Sequence, residues 1–158
     1  MAQNSAYPPS IFRKNAGSQH AHAPLTDLHL LHLEDNPADH ELVARALARA
    51  EVPCALTLVD TLEAFQAAVR QEPVDAVLAD YHLAGFSGLD AWDWLRAEGI
   101  ELPFVIVSGA IGEATVADAM VRGVSDYVDK HRLARLPGAL QRALDLAAAR
   151  RAQADAAR

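Results

Sequence analysis

The chain has 158 residues, 51% of them hydrophobic, which suits one domain with a single buried core. Its 21 acidic and 14 basic side chains give a net charge of −7, which argues against the basic surface of a nucleic-acid-binding protein. No stretch reaches the about 20 apolar residues that span a bilayer, and no leader with a cleavage site is recognisable, so a cytoplasmic protein is expected.

Residues 1–25 carry Pro8-Pro9, Gly17 and scattered polar side chains without a hydrophobic period, and read as a flexible tail. His20 and His22 in that tail lack the further ligands of a metal site. From Leu28 the pattern becomes regular. Leu28–Leu33 predicts a first strand. Asn36 then offers an N-cap, Pro37 fits the first helical position, and Asp39 and Glu41 suit the positive helix end. Leu42, Val43, Ala46, Leu47 and Ala50 recur at helical spacing. Cys54, the single cysteine, excludes an internal disulfide and is expected as a small buried hydrophobe before strand two, Ala55–Val59.

Thr61 can cap a second helix carrying Leu62, Phe65 and Val69, and Pro73 separates it from a third strand, Val74–Ala79. A loop from Tyr81 to Ser87 precedes a helix from about Gly88 with Leu89, Trp92 and Leu95 inward, stopped by Gly99. Leu102–Val107 predicts strand four, Gly112–Arg122 a helix ended by Gly123, and Ser125–Val128 a short fifth strand. A last helix begins near Pro137. The β-α alternation and the continuously apolar central runs predict an α/β domain over residues 26–145: a doubly wound five-stranded parallel sheet with helices on both faces. Residues 146–158 form a C-terminal helical extension.

In such a sheet, ligands bind beyond the carboxyl ends of the strands. Strand one stops at Glu34-Asp35, strand three at Asp80 and strand four at Ser108, while strand five is followed by Asp129-Lys130. Three acids, a hydroxyl and an ammonium therefore converge. Clustered carboxylates repel, and a hard cation such as Mg²⁺ relieves that cost through oxygen ligands. Capping alone explains Glu34 and Asp35 poorly, because Asn36-Pro37 already supplies a cap. A carboxylate can attack phosphorus and form an aspartyl-phosphate, with the cation, a lysine and a serine on the phosphoryl oxygens. Those groups are present as Asp80, Lys130 and Ser108.

The segments Leu31-His32-Leu33-Glu34-Asp35-Asn36, Val77-Leu78-Ala79-Asp80, Val107-Ser108-Gly109-Ala110 and Asp126-Tyr127-Val128-Asp129-Lys130 resemble the receiver domain of two-component response regulators. The resemblance implies a flavodoxin-like (βα)5 receiver fold and a phosphoryl group accepted by Asp80 from a sensor histidine kinase or phosphotransfer protein. It implies Mg²⁺ held by Asp35, Asp80 and the backbone carbonyl of His82, with Glu34 acting through water, and phosphoryl contacts from Ser108 and Lys130. Ser108 and Tyr127 would form the switch, although Tyr127 also reads as an ordinary half-buried strand aromatic. His82 could influence the lifetime of the aspartyl-phosphate.

Two positions depart from the family pattern. Ala84 stands where proline usually precedes glycine, and His131 stands where proline in a cis bond usually follows the lysine. The loop that orients Lys130 is therefore expected to differ in shape.

The implied protein is not a turnover enzyme but performs Mg²⁺-dependent self-phosphorylation and autodephosphorylation. A phosphatase on this fold would carry a second acid two residues after the nucleophile, where His82 stands. Acidic Glu34-Asp35 would repel the phosphate of a flavin. Expected partners are the kinase or phosphotransfer protein and a second copy through the fourth helix, fifth strand and last helix, with no nucleic acid and no membrane. A helix-turn-helix output module after the fifth strand is not expected. The last stretch reads either as a frayed end or as a helix continuing into a partner or output module. The alternative function is a phosphorylation-independent scaffold, adaptor or dimerisation module.

Overall fold

The structure, a computed structural model, describes residues 27–157, so the expected tail and its His20 and His22 lie outside the described residues. Helices begin where the sequence supplies acceptors. Asn36 opens helix α1 (Pro37–Arg49), its side-chain oxygen accepting from the Ala38 and Asp39 N–H groups at 2.9 and 3.4 Å. Thr61 opens α2 (Leu62–Gln71) by accepting from the Ala64 N–H at 3.0 Å. At the start of α3 (Gly88–Ala97) the Asp90 carboxylate reaches back to the Ser87 N–H at 2.9 Å. Helices α4 (Glu113–Val121) and α5 (Leu136–Ala156) follow.

The main sheet holds β1 (Leu28–Leu33), β2 (Cys54–Val59), β3 (Ala76–Ala79), β6 (Phe104–Ser108) and β7 (Asp126–Asp129), in the order β2-β1-β3-β6-β7 and parallel throughout. Between β3 and α3, β4 (His82–Leu83) and β5 (Phe86–Ser87) form a small antiparallel hairpin. From β1 the chain runs outward to β2, then crosses back to β3 and runs the other way to β6 and β7, so the topological switch point lies between β1 and β3.

Alternate strand residues feed two cores, as a period of two requires. Leu28, Leu30, Leu78, Val105 and Val107 pack with Val43 and Leu47 of α1 and Leu136 and Leu140 of α5. Leu31, Leu33, Val77, Phe104 and Ile106 pack with Phe65 of α2, Trp92 and Leu95 of α3 and Ala119 of α4. Burial on both faces is why these strands read as unbroken apolar runs. Among the described residues no helix is long and apolar enough to cross a membrane.

Several expected boundaries shift for identifiable reasons. β3 starts at Ala76, because Asp75 is used beside it: its carboxylate accepts from the His29 N–H at 2.8 Å. β6 starts at Phe104, because Pro103 has no N–H to give the ladder. Cys54 lies within β2 and is half-buried rather than buried, with burial raising its thiol pKa. The Tyr81–Ser87 loop folds as the hairpin, turning at Gly85 with φ of 83°. A 3₁₀ turn over Lys130–Arg135 precedes α5, which starts at Leu136 and runs unbroken past residue 146; every residue from Ala149 to Ala156 is exposed.

Gly88 is where α3 passes under the end of β3. A Cβ there would overlap the backbone carbonyl oxygen of Asp80. We expect Gly88→Ala to cost about 2 kcal/mol, the order of an overpacked core site. Urea denaturation would read this as a lower midpoint at unchanged slope; an unshifted midpoint would remove Gly88 from the constraints on Asp80.

Candidate functional site

Parallel register assembles the site. Leu33 pairs with Ala79, so the next residues, Glu34 and Asp80, leave adjacent strands side by side, and the Asp80 N–H donates to the Leu33 carbonyl at 2.9 Å. Ser108 ends β6 and pairs with Asp129, which places Lys130 just beyond the same edge. Glu34, Asp80 and Ser108 are buried; Asp35 is exposed.

The Asp80 carboxylate is held from both sides. Ser108 Oγ donates to Oδ1 at 2.5 Å, and Lys130 Nζ donates to Oδ2 at 2.8 Å. The same ammonium lies 2.7 Å from Glu34 Oε1 and 2.8 Å from Asp39 Oδ2. The Glu34 contact is an ion pair without hydrogen-bond alignment, since that oxygen has no hydrogen-bond partner among the described residues. Glu34 Oε2 faces the start of α1, accepting from the Asp35 and Asn36 N–H groups at 3.1 and 3.4 Å. Asp35 reaches the hairpin, where its Oδ2 accepts from the Ala84 N–H at 2.8 Å.

Burial and the Lys130 ammonium together drive the proton affinities of Glu34 and Asp80 apart. Burial, with the neighbouring Asp80 charge adding to it, pushes Glu34 up to about 7 despite the Lys130 contact. Burial also works against an ionised Asp80, but hydrogen bonds from Lys130 and Ser108 outweigh it and hold its pKa below the ordinary carboxylate value. For Lys130, burial disfavours the charge, yet Asp39, Asp80 and Glu34 overcome it and raise the pKa above that of a free lysine.

Carboxylate oxygens of Glu34, Asp35 and Asp80 lie within 4.8 Å of one another. An all-oxygen, multiply negative donor set fits a hard divalent cation.

Five of the sequence-predicted residues, Glu34, Asp35, Asp80, Ser108 and Lys130, are thus brought together. His82 is exposed at the start of the hairpin, and its ring meets Tyr81 edge-on with centroids 4.9 Å apart. Tyr127 is half-buried, and its hydroxyl donates to the Gly109 carbonyl at 3.0 Å, one residue beyond Ser108.

Sequence reasoning missed two features. Asp39, read only as a helix-end charge, is a partner of Lys130 across 91 residues. His32, read as part of an apolar strand, is fully buried and its Nδ1 lies 2.9 Å from His40 Nδ1. Burial, the neighbouring His40 and the Lys130 charge push the His32 pKa down to about 3. A histidine inside an apolar run is the one signal that marked it.

A family model described as the response regulator receiver domain matches residues 30–141. Among solved structures, the phosphorylated cyanobacterial phytochrome response regulator RcpA is 25% identical with a TM-score of 0.61, covering 73% of this chain and 90% of its own. A response regulator from Hahella chejuensis is 27% identical with a TM-score of 0.61, covering 72% of this chain and 89% of its own. NtrX from Brucella abortus is 25% identical with a TM-score of 0.71; the match covers 82% of this chain but 29% of NtrX. Comparison with curated proteins finds no match.

The raised Glu34 pKa has a signed consequence. The folded state keeps this proton longer than the unfolded chain, so Glu34 lowers stability as pH rises from about 4.5 to 7. His32, depressed to about 3 from 6.5, acts oppositely and adds stability as pH rises through its own window. The two offset in the wild type, but Glu34→Gln removes only the first. With divalent ions chelated, the stability gain of Glu34→Gln should grow by about 2 kcal/mol between pH 5 and pH 8. Urea denaturation at both pH values tests this; a gain independent of pH would mean Glu34 is ionised throughout.

Proposed function

The chain belongs to the response regulator receiver domain family, and from that premise we propose that Asp80 accepts a phosphoryl group from a sensor histidine kinase or phosphotransfer protein in a Mg²⁺-dependent reaction. Phosphorylation then alters a partner-binding surface. The observation that carries this reading is the Asp80 carboxylate itself, gripped on one oxygen by Ser108 and on the other by Lys130, with Glu34 and Asp35 alongside.

Asp80 is the nucleophile, and its lowered pKa keeps it anionic at neutral pH. One of its oxygens bonds to phosphorus as the bond from phosphorus to the donor's leaving atom breaks, giving a mixed anhydride. Glu34, Asp35, Asp80 and the His82 backbone carbonyl would hold Mg²⁺, which supplies charge neutralisation for the phosphoryl oxygens. Lys130 and Ser108 already touch Asp80 and need only turn their N–H and O–H donors onto the incoming oxygens. The donors stand ready before the charge arrives, and the chemistry is a single self-directed transfer rather than turnover.

In this reading Ser108 gives up its bond to Asp80 on phosphorylation. Gly109 follows Ser108 and accepts the Tyr127 hydroxyl at 3.0 Å, so movement at β6 is felt by the β7 aromatic. The neighbouring α4 leaves Val121 86% exposed and Met120 42% exposed, an apolar surface for a partner to read. A scaffold that ignores phosphorylation would use the same surface, and equal partner affinity before and after phosphorylation would favour it.

With Mg²⁺ and acetyl phosphate, intact-mass measurement should show one acid-stable, base-labile phosphoryl adduct. It should be absent in Asp80→Asn and after chelation, and should form about 100-fold more slowly in Lys130→Ala, the scale of losing one preorganised donor. An adduct of equal yield in Asp80→Asn would relocate the acceptor.

A further inference from the structure

Lys130 has three N–H donors, and three carboxylates surround it: Glu34 Oε1 at 2.7 Å, Asp39 Oδ2 at 2.8 Å and Asp80 Oδ2 at 2.8 Å. Two of these belong to the group whose oxygens converge within 4.8 Å and can bind a cation, Glu34 with Asp35 and Asp80. Phosphorylation would also turn one Asp80 oxygen into an anhydride. A loaded site therefore draws two of the three anions away from the ammonium. Asp39 stands outside the cation-binding group, so neither a cation held there nor the anhydride at Asp80 draws it from the ammonium.

Asp39 is also well fixed. It occupies the third position of α1, whose start is set by the Asn36 cap and Pro37. The next residue, His40, places Nδ1 2.9 Å from His32 Nδ1, with the two ring centroids 5.1 Å apart. His32 is fully buried in β1, the strand that ends at Glu34. The imidazole pair thus fastens the first turn of α1 to the strand that carries the site, and a carboxylate on such an element can hold an ammonium in one place.

We propose that Asp39 is a positioning residue for Lys130, retaining its ammonium at the site when a divalent cation and a phosphoryl group engage Glu34 and Asp80. The inference rests on the receiver reading and adds to it a residue that touches neither cation nor phosphoryl group.

The chain contains two lysines, Lys14 and Lys130, so lysine-selective ¹⁵N labelling gives two ammonium signals, one of which disappears in Lys130→Arg. With Mg²⁺ alone, and with Mg²⁺ plus beryllofluoride as phosphoryl mimic, the Lys130 ammonium should exchange slowly with water in the wild type. Exchange should be about tenfold faster in Asp39→Asn and slow again in Asp39→Glu. Unchanged exchange in Asp39→Asn overturns the proposal. Phosphorylation by acetyl phosphate should slow about tenfold in Asp39→Asn, and Asp39→Asn should add no further loss in a Lys130→Ala background. An equal loss in that background makes Asp39 merely structural and also overturns it. A wild type that takes no phosphoryl group would sink the receiver reading instead, while the exchange measurement in Mg²⁺ alone still decides the role of Asp39.

Discussion

The ammonium of Lys130 is the contact on which the site depends. It lies within 2.8 Å of three carboxylates, those of Glu34, Asp39 and Asp80. Carboxylates packed this closely repel one another, and burial adds to the cost of their charge. That cost is distributed unevenly. Asp80, bonded to both Lys130 and Ser108, keeps its charge easily, whereas buried Glu34 is pushed up to about 7. Environment alone separates two neighbouring acids: one holds its charge readily, while the other holds its proton more tightly than a free glutamate.

Such a cluster is tolerable because the fold prevents its members from separating. Parallel pairing of Leu33 with Ala79 sets Glu34 beside Asp80, and the Gly88 backbone passes so close to the Asp80 carbonyl that no side chain fits between them. Both sheet faces are sealed, one by α1 and α5 and the other by α2, α3 and α4. Electrostatic repulsion at the strand ends is thus opposed by hydrophobic burial along the strands, and the carboxylates are held where a cation can collect them. The arrangement costs stability at the site and gains it in the core, a common division between functional and structural residues.

Much of this was legible in the sequence because it is local. Apolar runs that stop at acids, the Asn36-Pro37 and Thr61 starts, and the stops at Gly99 and Gly123 depend on neighbours a few residues away. The five residues at the strand ends followed from those boundaries and from the α/β alternation. What escaped is non-local. Asp39 meets Lys130 across 91 residues, and nothing in the spacing of α1 tells which side of its first turn faces a lysine just after β7. His32 and His40 are near in sequence, yet their pairing requires α1 to fold back on β1. The hairpin at Leu83–Phe86 is too short for a hydrophobic period to announce it.

The two departures from the family pattern fit together once backbone donors are counted. At each position the usual residue is proline, which has no N–H. In this chain both N–H groups are used. Ala84 donates to Asp35 Oδ2 at 2.8 Å and so ties the hairpin beyond Asp80 to an acid beyond β1. His131 donates to Asp129 Oδ1 at 2.8 Å, which caps the 3₁₀ turn that follows Lys130, and among the described residues no peptide bond is cis. Rigidity that a pyrrolidine ring would supply through φ is replaced by hydrogen bonds to side chains. The consequence differs at the two places. Asp129 lies outside the group of Glu34, Asp35 and Asp80, whereas Asp35 belongs to it. The Ala84 bond therefore ties the loop after Asp80 to one of the clustered carboxylates, a link that a proline at the same position could not make.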